Sequence, residues 1–451
     1  MKLGQKHIPL SLLFVLVAIF LSPIEVIDLN PVKTEAEVGR QRSVNIGPPD
    51  FVFFLALLSF MAEGRRVRFI RAIPVAWYAA FLLLGLASTL RASVPLESIK
   101  HLVQYAFILL GVIPVIGAVL KTEERVRWSG MALALGLAAN LTLAVWVLLT
   151  LGRVGESGYG EELGAAEFYG AGGLSRAAMV AVPLFLALLR RQLVHGLGTG
   201  TFLLGGLWIL AFVMGMLAFN RSAMVAIVTG LVVVLVLPIT GKVRASRVAL
   251  RVCVLAILTV VFAWKGYELV VPETYREVYA AVAESPLEDV SVRARYETNM
   301  AVLRSWQETL ILGWGYDVPN IVAKIDRYIT GPTINPLPHN VFLNWWAEAG
   351  LLGMVIMITA TCKCVMAGWR GLVASGSSSW TRGLLVGLVG AYLSILFHYV
   401  FHASVFRRMD WVIVGLILAA SSPRGRPLGL SSQSDGNRRV TDHDTKPHEK
   451  L

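Results

Sequence analysis

The feature that most limits what this chain can become is a series of apolar runs, each about 18 to 22 residues long, recurring along its length. A helix rises about 1.5 Å per residue, so such a run spans the roughly 30 Å of hydrocarbon in a bilayer. Inside lipid every backbone N–H and C=O must find a partner within the protein, which for runs of this length means helices. The expected fold is therefore all-α, a polytopic transmembrane helical bundle of about 12 helices. The crossings are expected near 9–28, 50–63, 73–90, 101–120, 129–151, 173–190, 199–219, 222–240, 248–266, 341–361, 382–400 and 410–421. The second and last are short. The first run follows Lys2, Lys6 and His7 but is too long for a signal-peptide core and lacks a small-x-small cleavage site, so it reads as a retained helix.

A net charge of +12 raises the question of nucleic acid, and the distribution of the charge answers it. Basic residues gather in short segments (Arg65, Arg66, Arg68 and Arg71; Lys121, Arg125 and Arg127; Arg190 and Arg191; Lys242, Arg244, Arg247 and Arg251; Lys363 and Arg370) that follow every second apolar run. That is the positive-inside pattern of a membrane protein, with both termini inside. It is not the basic stripe of a nucleic-acid binder. Cys253, Cys362 and Cys364 then sit at helix ends on the cytoplasmic side, where no disulfide is expected.

The domain reading follows from these runs. Residues 1–266 hold transmembrane helices one to nine, 267–340 form a periplasmic helical loop, 341–421 hold the last three helices, and 422–451 form a disordered cytoplasmic tail. The tail's Asp442-His443-Asp444 reads as solvated charge, not a metal site. An outside loop at Gly152 to Gly173 carries Glu156, Glu161, Glu162 and Glu167. The 267–340 loop is too long for a passive connection. Within it Tyr296, Met300, Leu303, Trp306 and Leu310 recur at helical spacing and are expected to bury one stripe. Asp317 is expected to N-cap a second helix with Pro319 in its first turn and Ile321, Ile325 and Tyr328 on its apolar face. Together these predict a small helical cap on the outer surface of the bundle.

Three basic groups converge on the outer side. Arg221 opens the eighth crossing, against the positive-inside bias, so an anionic partner is expected; the plainer reading is an arginine snorkelling to the headgroups. Arg293 and Arg295 open the cap helix, where ordinary solvated charge is the competing reading. His339 stands where the polar loop gives way to the tenth crossing, its imidazole largely neutral near neutral pH unless perturbed. With His339 starting the helix, Leu343, Trp346, Gly350 and Gly353 share its face, and the glycines suit close approach of another helix. Glu348 points elsewhere and is not placed in the same site. No paired carboxylates, Cys/His cluster or Walker loop is evident, so neither nucleotide nor metal nor other cofactor is expected. Two guanidinium forks and a neutral base suit a diphosphate leaving group and an attacking hydroxyl: glycosyl transfer from a polyprenyl diphosphate carrier.

The same residues resemble the O-antigen ligase and O-antigen polymerase family of bacterial cell envelopes. The resemblance runs from about Leu217 to Gly353: Asn220-Arg221-Ser222-Ala223, then an arginine opening a helix that ends in Gly313-Trp314-Gly315, then His-Asn-x-x-Leu-x-x-x-Ala-Glu-x-Gly-x-x-Gly from His339 to Gly353. Spacing to Gly313 favours Arg295 over Arg293 as the matching arginine; Asn299 and Ile311-Leu312 depart from the family's Trp and Pro. The resemblance implies a metal-independent, inverting transferase of the bacterial inner membrane with its active site facing the periplasm. Its donor would be an undecaprenyl-diphosphate-linked glycan and its acceptor a glycan or lipid A-core. His339 would be the catalytic base, with Arg221 and Arg295, or Arg293, holding diphosphate. Ligase and polymerase remain open, and the rival class is a polytopic transporter or flippase. That class predicts inverted repeats and midplane charges, and neither is evident in the sequence.

Overall fold

The computed structural model of the chain describes residues 8–24, 47–64, 74–151, 171–217, 221–237, 290–316, 318–329, 338–373, 379–401 and 408–422. Among the described residues there are helices and turns and no strand. Ahead of the polar insertion come α1 (Leu10–Leu21), α2 (Pro48–Ala62), α3 (Val75–Thr89), α4 (Pro95–Val119), α5 (Glu123–Leu151), α6 (Ala171–His195), α7 (Thr199–Leu217) and α8 (Arg221–Val236). Within it lie α9 (Val290–Arg304) and α10 (Val318–Ile325); after it come α11 (Val341–Val373), α12 (Ser379–Tyr399) and α13 (Arg408–Ser421). The run near 248–266, Cys253, Asp317, the tail's Asp-His-Asp and most of the acidic loop lie outside the described residues.

Helices α4, α5, α6, α7, α11 and α12 are long and apolar enough to cross a membrane, while α1, α2, α3 and α8 are shorter apolar helices. Composition explains their placement. On α7 the large side chains Phe202, Leu203, Ile209 and Val213 are exposed, as expected for a helix whose solvent is lipid. By contrast, α6 buries Ala177, Ala178, Ala181 and Ala187 among Phe185, Leu184 and Met179. Local signals set the ends. Pro48 and Pro49 open α2, the Gly47 N–H donates to Asp50 Oδ2 at 2.8 Å, and Asp50 is paired with Arg408 at 2.5 Å. That pair ties the start of α2 to the start of α13.

Close contacts fix helix directions. A Cβ added at Gly368 of α11 would meet Val389 of α12 at 2.7 Å, and one at Gly371 would meet Leu385 at 2.8 Å, so the two helices run antiparallel. On the other side of α12, Ser394 Oγ donates to the Ala226 carbonyl of α8 at 2.7 Å, and a Cβ at Gly390 would meet Gly230 O at 3.1 Å. That pair is antiparallel too. It follows that α8 and α11 run parallel, and their first turns face the same end of the bundle.

One expectation about the cysteines fails. Helix α11 continues to Val373, so Cys362 and Cys364 lie within it and not at its end; Cys364 is buried, 3.5 Å from the Tyr78 hydroxyl.

Candidate functional site

The polar loop meets the bundle at Asn340. Its Oδ1 accepts from Phe342 N at 2.9 Å and Leu343 N at 3.3 Å, and its carbonyl accepts from Asn344 N at 2.9 Å. Asn340 is therefore the N-cap of α11. His339 precedes the helix as a half-buried residue in a bend, so it does not share a helical face with Leu343, Trp346, Gly350 and Gly353 as the sequence predicted.

A second departure explains more. Helix α11 breaks at Gly350, where φ is +84° and ψ 168°. Stretch 309–316 lies against the break and pairs with it mainly through backbone, with the Trp346 indole N–H also donating to Thr309 Oγ1 at 2.9 Å. Trp314 N donates to Ala347 O at 2.7 Å and Gly315 N to Glu348 O at 3.2 Å; Leu351 N donates to Thr309 O at 2.9 Å and Leu352 N to Leu310 O at 3.3 Å. An interrupted helix leaves carbonyls before the break and N–H groups after it without intrahelical partners, and the loop supplies both sets. The glycines permit the contact. A Cβ at Gly313 would collide with the Glu348 carbonyl, and one at Gly350 with the Ile311 carbonyl. Gly350 thus faces the loop, not a neighbouring helix; Gly353 faces Phe81 of α3.

Below this clamp, Glu348 is buried. Its carboxylate accepts from Tyr105 OH and from Asn344 Nδ2, each at 2.9 Å. The Tyr105 ring packs against Tyr316 of the loop at 4.9 Å between centroids, and both contact Phe81. The loop is also tied to the α3–α4 turn. Gly313 N donates to Ser88 Oγ at 3.0 Å, Tyr316 N to Ser98 Oγ at 2.9 Å, and Val94 N to Asn320 Oδ1 at 2.6 Å. Arg91 donates to the carbonyls of Glu308 and Leu312 at 3.0 and 3.1 Å. Residues 313–316 are accordingly buried within the bundle rather than lying over it.

Helix α9 leads into this clamp, and it packs by the face opposite to the one expected. Ala294, Thr298, Ala301, Val302 and Ser305 are buried, whereas Tyr296, Leu303, Trp306 and Leu310 are exposed. Small residues let α9 sit close to its neighbours, and Ala301, Val302, Trp314, Ile321, Ile325 and Trp346 form a separate small core there. Ile321 and Ile325 on α10 are buried as predicted. Arg293 and Arg295 both stand exposed on α9. At the base of the cap Tyr328 OH donates to Glu308 Oε2 at 2.6 Å, which with burial pushes its phenol above the ordinary range.

Arg221 is the first residue of α8 and His339 the second residue before α11, so the parallel run of these helices puts both at one end of the bundle. Arg293 and Arg295 belong to the element whose continuation is bonded into α11. Sequence reasoning set Glu348 apart from the site and passed over other buried polar residues: Asn344, Arg176, His398 and Asp410. The available signal was an ionisable residue inside an apolar run, which is costly unless partnered. Among the described residues no three His, Cys, Asp or Glu side chains gather as a metal site.

No curated protein matches the chain. Residues 206–358, from within α7 through the clamp and break of α11, match the family described as O-Antigen ligase, and over that stretch the match supports the O-antigen ligase and polymerase family of glycosyltransferase-type enzymes.

Proposed function

We propose that the protein is an inner-membrane, metal-independent, inverting glycosyltransferase that moves a glycan from undecaprenyl diphosphate to the hydroxyl of a lipid A-core acceptor at the periplasmic face. The observation that carries this reading is the shared end of the bundle at which α8 and α11 begin, with the arginine-bearing α9 bonded into α11 through stretch 309–316. In the proposed step the acceptor hydroxyl attacks the anomeric carbon and its proton passes to His339. The bond from that carbon to the diphosphate oxygen breaks on the opposite face, and polyprenyl diphosphate departs with the electron pair. Arg221 and Arg295 neutralise the charge that develops on it. A transporter would instead predict inverted repeats and charges near the bilayer midplane, and neither is evident in the sequence. The four backbone bonds, each worth about 0.5–1.5 kcal/mol net, hold the cap in register with His339.

Deletion of the gene tests the assignment. The expected species are lipid A-core without glycan and long carrier-linked glycan. Accumulation of single carrier-linked repeats would mean the acceptor is another repeat, and an unchanged glycan profile would remove the transferase reading.

A further inference from the structure

Helix α12 meets α8 along a ladder of small and polar residues. At the lowest rung a Cβ on Gly390 would touch Gly230 O at 3.1 Å and Pro183 Cβ of α6 at 3.3 Å. One turn on, Ser394 Oγ donates to the Ala226 carbonyl at 2.7 Å. One turn further, His398 Nδ1 and Ser222 Oγ are hydrogen-bonded at 3.0 Å, the donor depending on the imidazole tautomer. Each step advances four residues on one helix and retreats four on the other, which is the signature of two antiparallel helices in tight register. His398 is the last rung, and Ser222 follows Arg221 in the chain. His398 is itself 1% exposed, lies near enough to Arg176 for the two to interact electrostatically, and precedes Tyr399, whose hydroxyl donates to Asp410 Oδ2 at 2.5 Å. Polar residues of α6, α12 and α13 therefore gather at the end of α12 that is bonded to the start of α8.

We infer that His398 is a positioning residue for the transfer reaction: through Ser222 it sets the height and rotation of the first turn of α8, the turn that begins at Arg221. This inference rests on the proposed role of Arg221 in holding the donor diphosphate. The small residues below fix the helix pair, and the first turn of α8 lies beyond them at the end of the ladder. The His398–Ser222 bond ties that turn to the bundle.

The test compares His398→Ala, His398→Asn and Arg221→Ala as purified full-length proteins at matched abundance, using a carrier-linked glycan donor. His398→Ala is expected to lower kcat/KM for the donor on the order of 10-fold, within the penalty of up to about 10²-fold that a misplacement near 1 Å brings. The acceptor KM should stay unchanged. His398→Asn, whose amide reaches about where Nδ1 lies, should restore most of the loss. A silent His398→Ala overturns the inference. So does an equal loss in the Ala and Asn variants, which means that the imidazole itself is needed. If Arg221→Ala retains full transfer, the failure lies in the functional reading and not in the positioning by His398.

Discussion

Gly350 decides the local architecture. Its φ of +84° is a conformation that side chains other than glycine reach only at a cost of about 1–3 kcal/mol, and a Cβ would in addition strike the Ile311 carbonyl. Gly350→Ala should therefore lower the Tm of detergent-purified protein by several degrees and weaken the grip of α11 on the loop. An unchanged Tm would show that the break tolerates a side chain. Glu348 makes a second case. Glu348→Ala leaves the buried Tyr105 hydroxyl and Asn344 amide without their acceptor, a loss of about 1–3 kcal/mol, whereas Glu348→Gln keeps an acceptor for Tyr105. Thermal unfolding should rank wild type and Gln together above Ala; equal stability of Ala would contradict the role assigned to the carboxylate. Gly313, Gly315 and Gly350 were all visible in the sequence motif, but their meaning was not. Apolar periodicity runs straight through an interrupted helix, so nothing in the pattern of α11 announces that a loop fills the gap.

At the scale of elements, α9 shows what periodicity can and cannot decide. Spacing predicts a buried stripe of Tyr296, Met300, Leu303, Trp306 and Leu310, yet α9 ends at Arg304, all of these but the half-buried Met300 are exposed, and the covered face is the one bearing Ala294, Thr298 and Ala301. Which face is covered depends on how near the neighbouring backbone comes, and small residues allow the nearest approach. Arg293 and Arg295 are about 200° apart on the helix and present separate sides. If Arg295 holds diphosphate, Arg295→Ala removes a charge-assisted contact worth about 1.5–3 kcal/mol and transfer falls accordingly, while Arg293→Ala changes it less. Transfer rates at matched expression check this. The opposite ranking would mean the active arginine lies two residues earlier.

For the whole molecule, hydropathy alone revealed the all-helical class and most helices, because lipid leaves few other solutions. It also marked the second and last crossings as short. Helices α2 and α13 have 15 and 14 residues, about 20–22 Å, less than the roughly 30 Å of a full crossing. It missed the insertion of stretch 313–316 between α3, α4 and α11, since its long-range contacts join loop N–H groups to Ser88, Ser98 and α11 carbonyls, and these leave no periodic pattern. The basic clusters predict that the loop is periplasmic, so an alkaline phosphatase fused at about residue 320 should be active and a cytoplasmic reporter there silent. The reverse result would invert the molecule. The central claim is that the shared end of the bundle holds a transferase site with His339 as its base, and purified His339→Asn and His339→Gln proteins test it most directly. Both retain hydrogen bonding but cannot accept a proton near neutral pH, and a positioned general base contributes about 10² to 10⁴-fold. Transfer from a carrier-linked donor should fall by that order in both variants while donor binding persists; near wild-type transfer in either would contradict the account.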